Sequence, residues 1–210
     1  MQDGLLPLFP LELVLFPQTP LPLHIFEDRY KEMIGDVRRT HTEFGVVQAG
    51  ERGIVNTGCS ATVEKVIQSY EDGRLDILAM GRRRFEIVLL NDEKSYLRAD
   101  VQFFDDDDAE TGPLDVQKKA IDGFFELREI EGVQVIGTPK PGDPQLSFQL
   151  AQLVPDLNFR QVLLTTRSEA ERIRQLADFF PQYVERQRYT EKMKKLAHRN
   201  GHSRREMEAG

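Results

Sequence analysis

Along the first hundred positions, apolar residues come in short runs broken by prolines, glycines and charged turns. Residues 5–15 are apolar except for Glu12, with Pro7 and Pro10 inside the run. Proline removes ladder donors, so this pattern predicts an edge or bulged strand. Residues 21–26 form a second run. The period then changes: Tyr30, Met33, Ile34 and Val37 recur at helical spacing and predict an amphipathic helix over 27–39. Residues 44–48 read as a strand and 49–53 as its turn. Val63, Val66 and Ile67 alternate in part over 61–70, and Glu71-Asp72-Gly73 is a hairpin signal. Residues 75–80 and 85–90 read as two strands, with Gly81 and Arg82-Arg83-Arg84 as a hairpin end between them. A turn at 91–94 precedes a last strand over 96–104, alternating through Leu97, Ala99, Val101 and Phe103. Short strands at this spacing predict a small barrel or twisted sandwich.

Residues 105–108 are four consecutive aspartates and read as a linker, because adjacent carboxylates repel and are costly to bury. Consecutive aspartates rarely converge on one ion, so no metal is assigned there. Beyond the linker the pattern is helical. Pro113 suits a first helical position, and Leu114, Ile121, Phe124 and Phe125 line one face. Residues 132–144 form a breaker-rich loop. Leu146, Leu150 and Leu153 follow at helical spacing, and Asn158 is placed to cap the next helix, with Gln161 reaching back. Ser168-Glu169-Ala170-Glu171 is a capping box opening a long helix that buries Ile173, Leu176, Ala177 and Phe180. Pro181 then removes a helical hydrogen bond and predicts a kink. The chain is thus expected to be α+β: a β domain over 1–108, a helical bundle over 109–200 and a disordered tail over 201–210.

Composition narrows this further. A chain of 210 residues, 40% of them hydrophobic, can bury a real core. The lone Cys59 excludes an internal disulfide, suits a small buried hydrophobe and suggests a reducing compartment. No apolar run approaches the ~20 residues that span a bilayer, and the start MQDGLLPLFPLEL lacks a basic region before its apolar stretch, so it is not a signal peptide. A cytoplasmic protein without membrane contact is expected. Residues 182–205 hold eight Lys/Arg against two Glu, a local +6, while the remainder carries −13. A solvated basic helix is the simpler reading of that run than a nucleic-acid contact. Arg82, Arg83 and Arg84 are expected to meet the protein's own carboxylates.

Signatures of chemistry are missing. No Gly-Lys dipeptide occurs, so there is no phosphate loop of that type, and no GxSxG, HExxH or CxxC motif occurs. His198 and His202 are four apart in a polar tail with nothing to supply further ligands. No catalytic residue, metal or cofactor is assigned. The segment 6–34, LPLFPLELVLFPQTPLPLHIFEDRYKEMI, is the informative one, with its prolines set among apolar residues ahead of the helix. His24 and Glu27 are candidates for a polar pair there, although Glu27 also suits Arg29 or Arg38 as a partner.

The motifs LPLFPLELVLFP, PLHIFEDRYKEMI, FGVV at 44–47, GCSATV at 58–63 and GRRRFEI at 81–87 carry a resemblance. The helical stretch at 146–184 continues it. The sequence resembles the Lon protease N-terminal substrate-binding domain family, in its stand-alone bacterial form, over residues 5–195. That resemblance implies a PUA-like β-barrel followed by a helical bundle, in a region that helps select unfolded or tagged proteins. On that resemblance the chain is expected to end where the protease's ATPase would begin. The function expected is a non-catalytic module for unfolded or extended protein segments, with RNA binding as the alternative. An extended peptide on the sheet edge, or in the crease between barrel and helices, would involve Leu13, Leu15, Phe16, Pro17 and Pro22, with Phe124 and Phe125.

Overall fold

The computed structural model describes residues 4–50, 53–133 and 137–206, as backbone only at 191 and beyond 193. Its elements in order are β1 (Leu6–Leu11), β2 (Pro20–Ile25), α1 (Asp28–Thr40), β3 (Phe44–Gly50), β4 (Gly53–Ser69), β5 (Leu75–Asn91) and β6 (Arg98–Phe104). Then follow α2 (Leu114–Glu131), α3 (Leu146–Leu150) with a 3-10 turn (Ala151–Leu153), α4 (Leu157–Thr165) and α5 (Glu169–Glu206). Two compact units result: Met1–Asp108 with Val154–Arg167, and Ala109–Leu153 with Ser168–Gly210. The segment 154–167 therefore lies with the β unit, not with the helical half in which its sequence was read.

In the first unit the strand order is β2-β5-β4-β3-β1-β6, and a further β5–β6 pairing closes five of the strands into a barrel. Leu6, Leu8, Val47, Phe85 and Ala99 pack inside it. The helix α1 buries Tyr30, Met33, Ile34 and Val37, the four residues its periodicity nominated. Tyr30 meets Phe9 with ring centroids 4.2 Å apart.

Two strand readings need correction. β1 is not an edge strand: it runs antiparallel to β6 at Leu6 and Pro7 and parallel to β3 from Leu8 to Leu11. Its neighbours are staggered, so each proline lies where one side asks little of the ladder. Residues 75–91 are one continuous strand, not two joined by a hairpin end. Gly81 reads as a break but serves a crossing. A Cβ there would lie 2.1 Å from the Phe16 carbonyl oxygen, because the chain before β2 passes directly over β5. Gln18 N–H donates to the Gly81 carbonyl at 2.9 Å and Gly81 N–H to the Thr19 carbonyl at 3.0 Å, fixing that passage.

The arginines next to Gly81 meet carboxylates as expected. Arg82 pairs with Glu64, Arg83 with Glu43 at 3.3 Å and Arg84 with Asp106 at 2.6 Å. Arg84 is buried and also donates to the carbonyls of Leu164 (3.2 Å) and Thr166 (2.7 Å). Arg160 donates to the Val14 carbonyl and Gln161 to the Thr57 carbonyl, each at 2.9 Å. These bonds explain why α4 belongs to the β unit. The cap of α4 is Asp156, whose side chain accepts from Phe159 N–H at 2.9 Å, so Asn158 is already inside the helix.

In the second unit α2 packs on α5. Gly123 lets them approach, since a Cβ there would meet the Phe180 Cβ at 2.5 Å. Pro113 caps α2 from one position before its first helical residue. Ser168 Oγ accepts from Glu171 N–H at 3.4 Å, as a capping box asks, but the Glu171 carboxylate turns to Arg174 and Gln175. A buried polar cluster went unread in the sequence. Glu169 accepts from Ser147 N–H (2.8 Å), Ser147 Oγ (2.6 Å) and Arg172 (2.7 Å), tying α3 to the start of α5. α5 contains Pro181 and is described to Glu206, into the segment read as a disordered tail. Residues 207–210, and the side chains of His198 and His202, lie outside what is described.

Candidate functional site

The open end of the sheet is built by β2, the first half of β5 and the end of β4. Register assigns its faces, because directly paired residues share a side and neighbours alternate. Pro20 pairs with Met80, Pro22 with Leu78 and His24 with Asp76. Met80, Leu78 and Asp76 pair in turn with Thr62, Lys65 and Gln68 on β4. The opposite face carries Ile25, Ile77 and Ala79, all buried. The outer face therefore presents Pro20, Pro22, Leu78 and Met80 as an apolar strip, beside His24 and Asp76. Pro22 and His24 are exposed, while Pro20, Leu78 and Met80 are half-buried.

Two large side chains extend this strip at the hairpin end, Phe26, 59% exposed, and Tyr70, 37% exposed; Ile67 is exposed as well, but register assigns it to neither face. Ile67 sits at a β-bulge between Val66 and Gln68. His24 stacks on Phe26 with centroids 5.9 Å apart and meets Tyr70 edge-on at 6.0 Å. His24 Nδ1 is 2.6 Å from one Asp76 oxygen, and Tyr70 donates to the other at 2.7 Å. The bond from His24, then that from Tyr70, holds the Asp76 carboxyl below the ordinary carboxylate range, and the same bond pushes the Tyr70 hydroxyl up. His24 thus takes Asp76 as partner, while Glu27 takes Arg29 at 2.7 Å.

The free edge of β2 is chemically one-sided. Gly81 N–H bonds the Thr19 carbonyl, which sets the parity of the pair: Leu21, Leu23 and Ile25 turn their backbone groups to β5. Pro20, Pro22 and His24 turn theirs outward, so the edge offers three carbonyls and one donor, the N–H of His24. Such an edge is poor at accepting an added strand.

Among the residues nominated from sequence, Pro22 lies on the outer face. Leu13 is half-buried, while Leu15, Phe16 and Pro17 are buried in the passage over β5. Phe124 is buried in the second unit, where it packs edge-on to Phe180, and Phe125 is half-buried. Apolar runs cannot tell a core side chain from a presented one, and that is why these residues were named. Phe26 and Tyr70, exposed beside His24 on this face, were not among the nominated residues. The available signal was an aromatic or aliphatic residue directly beside a charged turn. A second exposed strip, Val88, Leu89 and Leu90, lies at the far end of β5.

The site carries little chemistry. No serine, threonine or cysteine side chain among the described residues bonds His24. Cys59 is fully buried, and that burial pushes its thiol up to about 12, far from a nucleophile's range. No group of three or more His, Cys, Asp or Glu is set to hold a metal among the described residues.

The family described as the ATP-dependent protease La (LON) substrate-binding domain matches residues 5–199. The chain belongs to the LON substrate-binding domain family. Within the protease that domain is a non-catalytic module. The chain is similar to the Lon N-terminal domain protein from Xanthomonas campestris, at 25% identity and TM-score 0.67, covering 85% of this chain and 99% of that one. It shares its fold with the N-terminal domain of the Mycobacterium avium complex Lon protease, at 15% identity and TM-score 0.65, covering 85% and 98%. The α+β, PUA-like fold is that of the family. In this LON substrate-binding domain no described helix is long and apolar enough to cross a membrane.

Proposed function

We propose that this chain is a non-catalytic binding module that holds unfolded or extended segments of other proteins on the outer face of β2, β5 and β4. Membership of a substrate-binding family makes protein segments the natural ligand class. The observation that carries the placement is the exposure of Phe26 and Tyr70 at His24 and Asp76, on the face that presents Pro22, Leu78 and Met80. Side chains of an extended segment would enter the apolar strip, while the one-sided edge of β2 leaves little backbone pairing to gain. A cytoplasmic location goes with this reading, as does the buried free thiol of Cys59.

A reduced, carboxymethylated protein that stays unfolded is the direct probe, titrated by fluorescence anisotropy. The intact chain is expected to bind it at concentrations of tens of micromolar or below, and Phe26→Ser is expected to weaken binding several-fold, as losing an apolar anchor does. Phe26 is exposed, so the variant should keep its fold. Absence of binding by the unaltered chain would remove the reading.

A further inference from the structure

Charge on this LON substrate-binding domain is not evenly shared between its units. Met1–Asp108 with Val154–Arg167 holds 21 Asp/Glu against 14 Lys/Arg, whereas the other unit holds 14 of each, so the whole net charge of −7 falls on the unit that carries the exposed apolar face. One end of that face carries part of this excess, five carboxylates against three cations. Glu27 and Asp28 follow Phe26 directly, Glu71 and Asp72 follow Tyr70 directly, and Asp76 lies on the face itself. Lys31 brings the two acidic pairs together, bonding Asp28 at 3.1 Å and the Asp72 carbonyl at 3.3 Å. Three cations answer these five carboxylates: Arg29 at Glu27, Lys31 at Asp28 and Arg74 at Asp72. Asp28 and Glu71 stay exposed to solvent.

Resting on the function proposed above, we infer that the preferred occupant of the face is an extended segment carrying Lys or Arg among its apolar residues. Its apolar side chains lie over Pro22, Leu78 and Phe26, and its cations sit at the rim formed by Glu27, Asp28, Glu71 and Asp72. The exposed ring of Phe26 adds a surface on which a cationic stem can lie, while the Tyr70 ring is taken by Arg74, 4.9 Å from its centroid. Rim charges act chiefly by steering and selecting partners, so the preference is one of rate and specificity and is sensitive to salt. An acidic segment is rejected by the same field.

The test uses the full chain and three labelled peptides of equal length and equal apolar content, with Lys/Arg, Gln/Ser or Glu at the polar positions. The cationic peptide is expected to bind about tenfold more tightly than the anionic one near 0.05 M salt, with the gap closing as salt rises toward about 0.5 M. Asp28→Asn with Glu71→Gln changes two exposed side chains and is expected to weaken the cationic peptide about threefold and leave the neutral one unchanged. Equal, salt-independent binding of cationic and neutral peptides would overturn this inference while leaving the binding function standing. Failure of all three peptides and of the unfolded protein would overturn both. Cationic binding that ignores the Phe26→Ser substitution would overturn the placement.

Discussion

Gly81 shows how one residue type carries two messages. In sequence it is a breaker beside three charged residues; in the structure it is the point where the Phe16 backbone crosses β5. Gly81→Ala would force a methyl against a carbonyl oxygen that two flanking hydrogen bonds hold in place. A loss of about 2–3 kcal/mol is expected, read as a lower urea midpoint at unchanged slope. Nothing local in the sequence distinguishes a glycine needed for a turn from one needed for a crossing. The buried Glu169 was equally illegible, because its partners Ser147 and Arg172 come from two helices. Glu169→Ala leaves Arg172 buried without its carboxylate and should cost about 3 kcal/mol, more than the pair variant Glu169→Ala with Arg172→Met. Equal losses in a chemical-denaturation double-mutant cycle would contradict that. At Asp36 the effect depends on pH. Bonds from Lys94 and Tyr96 hold its carboxyl below the ordinary value of 3.8. A lowered folded pKa means the stabilisation is complete above the unfolded value and fades as pH falls through the folded one. Asp36→Asn should therefore lower stability by about 1 kcal/mol at neutral pH and flatten the loss on acidification below about pH 4.

At the level of elements, period was the dependable signal. The face of α1 was legible to the residue, since Tyr30, Met33, Ile34 and Val37 are the positions it buries. Strands were legible as apolar runs but not in their pairing. The prolines of β1 predict an edge or bulged strand, yet it lies between β3 and β6 because its neighbours are staggered. The prolines of β2 do mark an edge, and their parity turns the missing donors outward. That arrangement protects the barrel unit from pairing with another copy. Pro20→Val with Pro22→Val would restore two outward N–H groups, and self-association is expected to rise with concentration in sedimentation velocity. A variant that stays as monodisperse as the parent would show that the prolines serve some other purpose.

For the whole molecule, α+β order, the β-to-helix progression and family membership were all legible, because long-range motif combinations survive where single residues are ambiguous. The place of 154–167 was not, since it depends on bonds from Arg84, Arg160 and Gln161 that span the sequence. The candidate face was legible only in Pro22; the rest of it arises from register. The barrel unit combines an open apolar face with the entire net negative charge, and these two properties together define what should dock there. Hydrogen exchange of the full chain, with and without a saturating unfolded protein segment, reads that claim most directly. Added protection is expected over Pro20–Ile25, residues 66–74 and residues 75–80. Protection confined to residues 88–90 or to α5, or none at all, would contradict the assignment of the face.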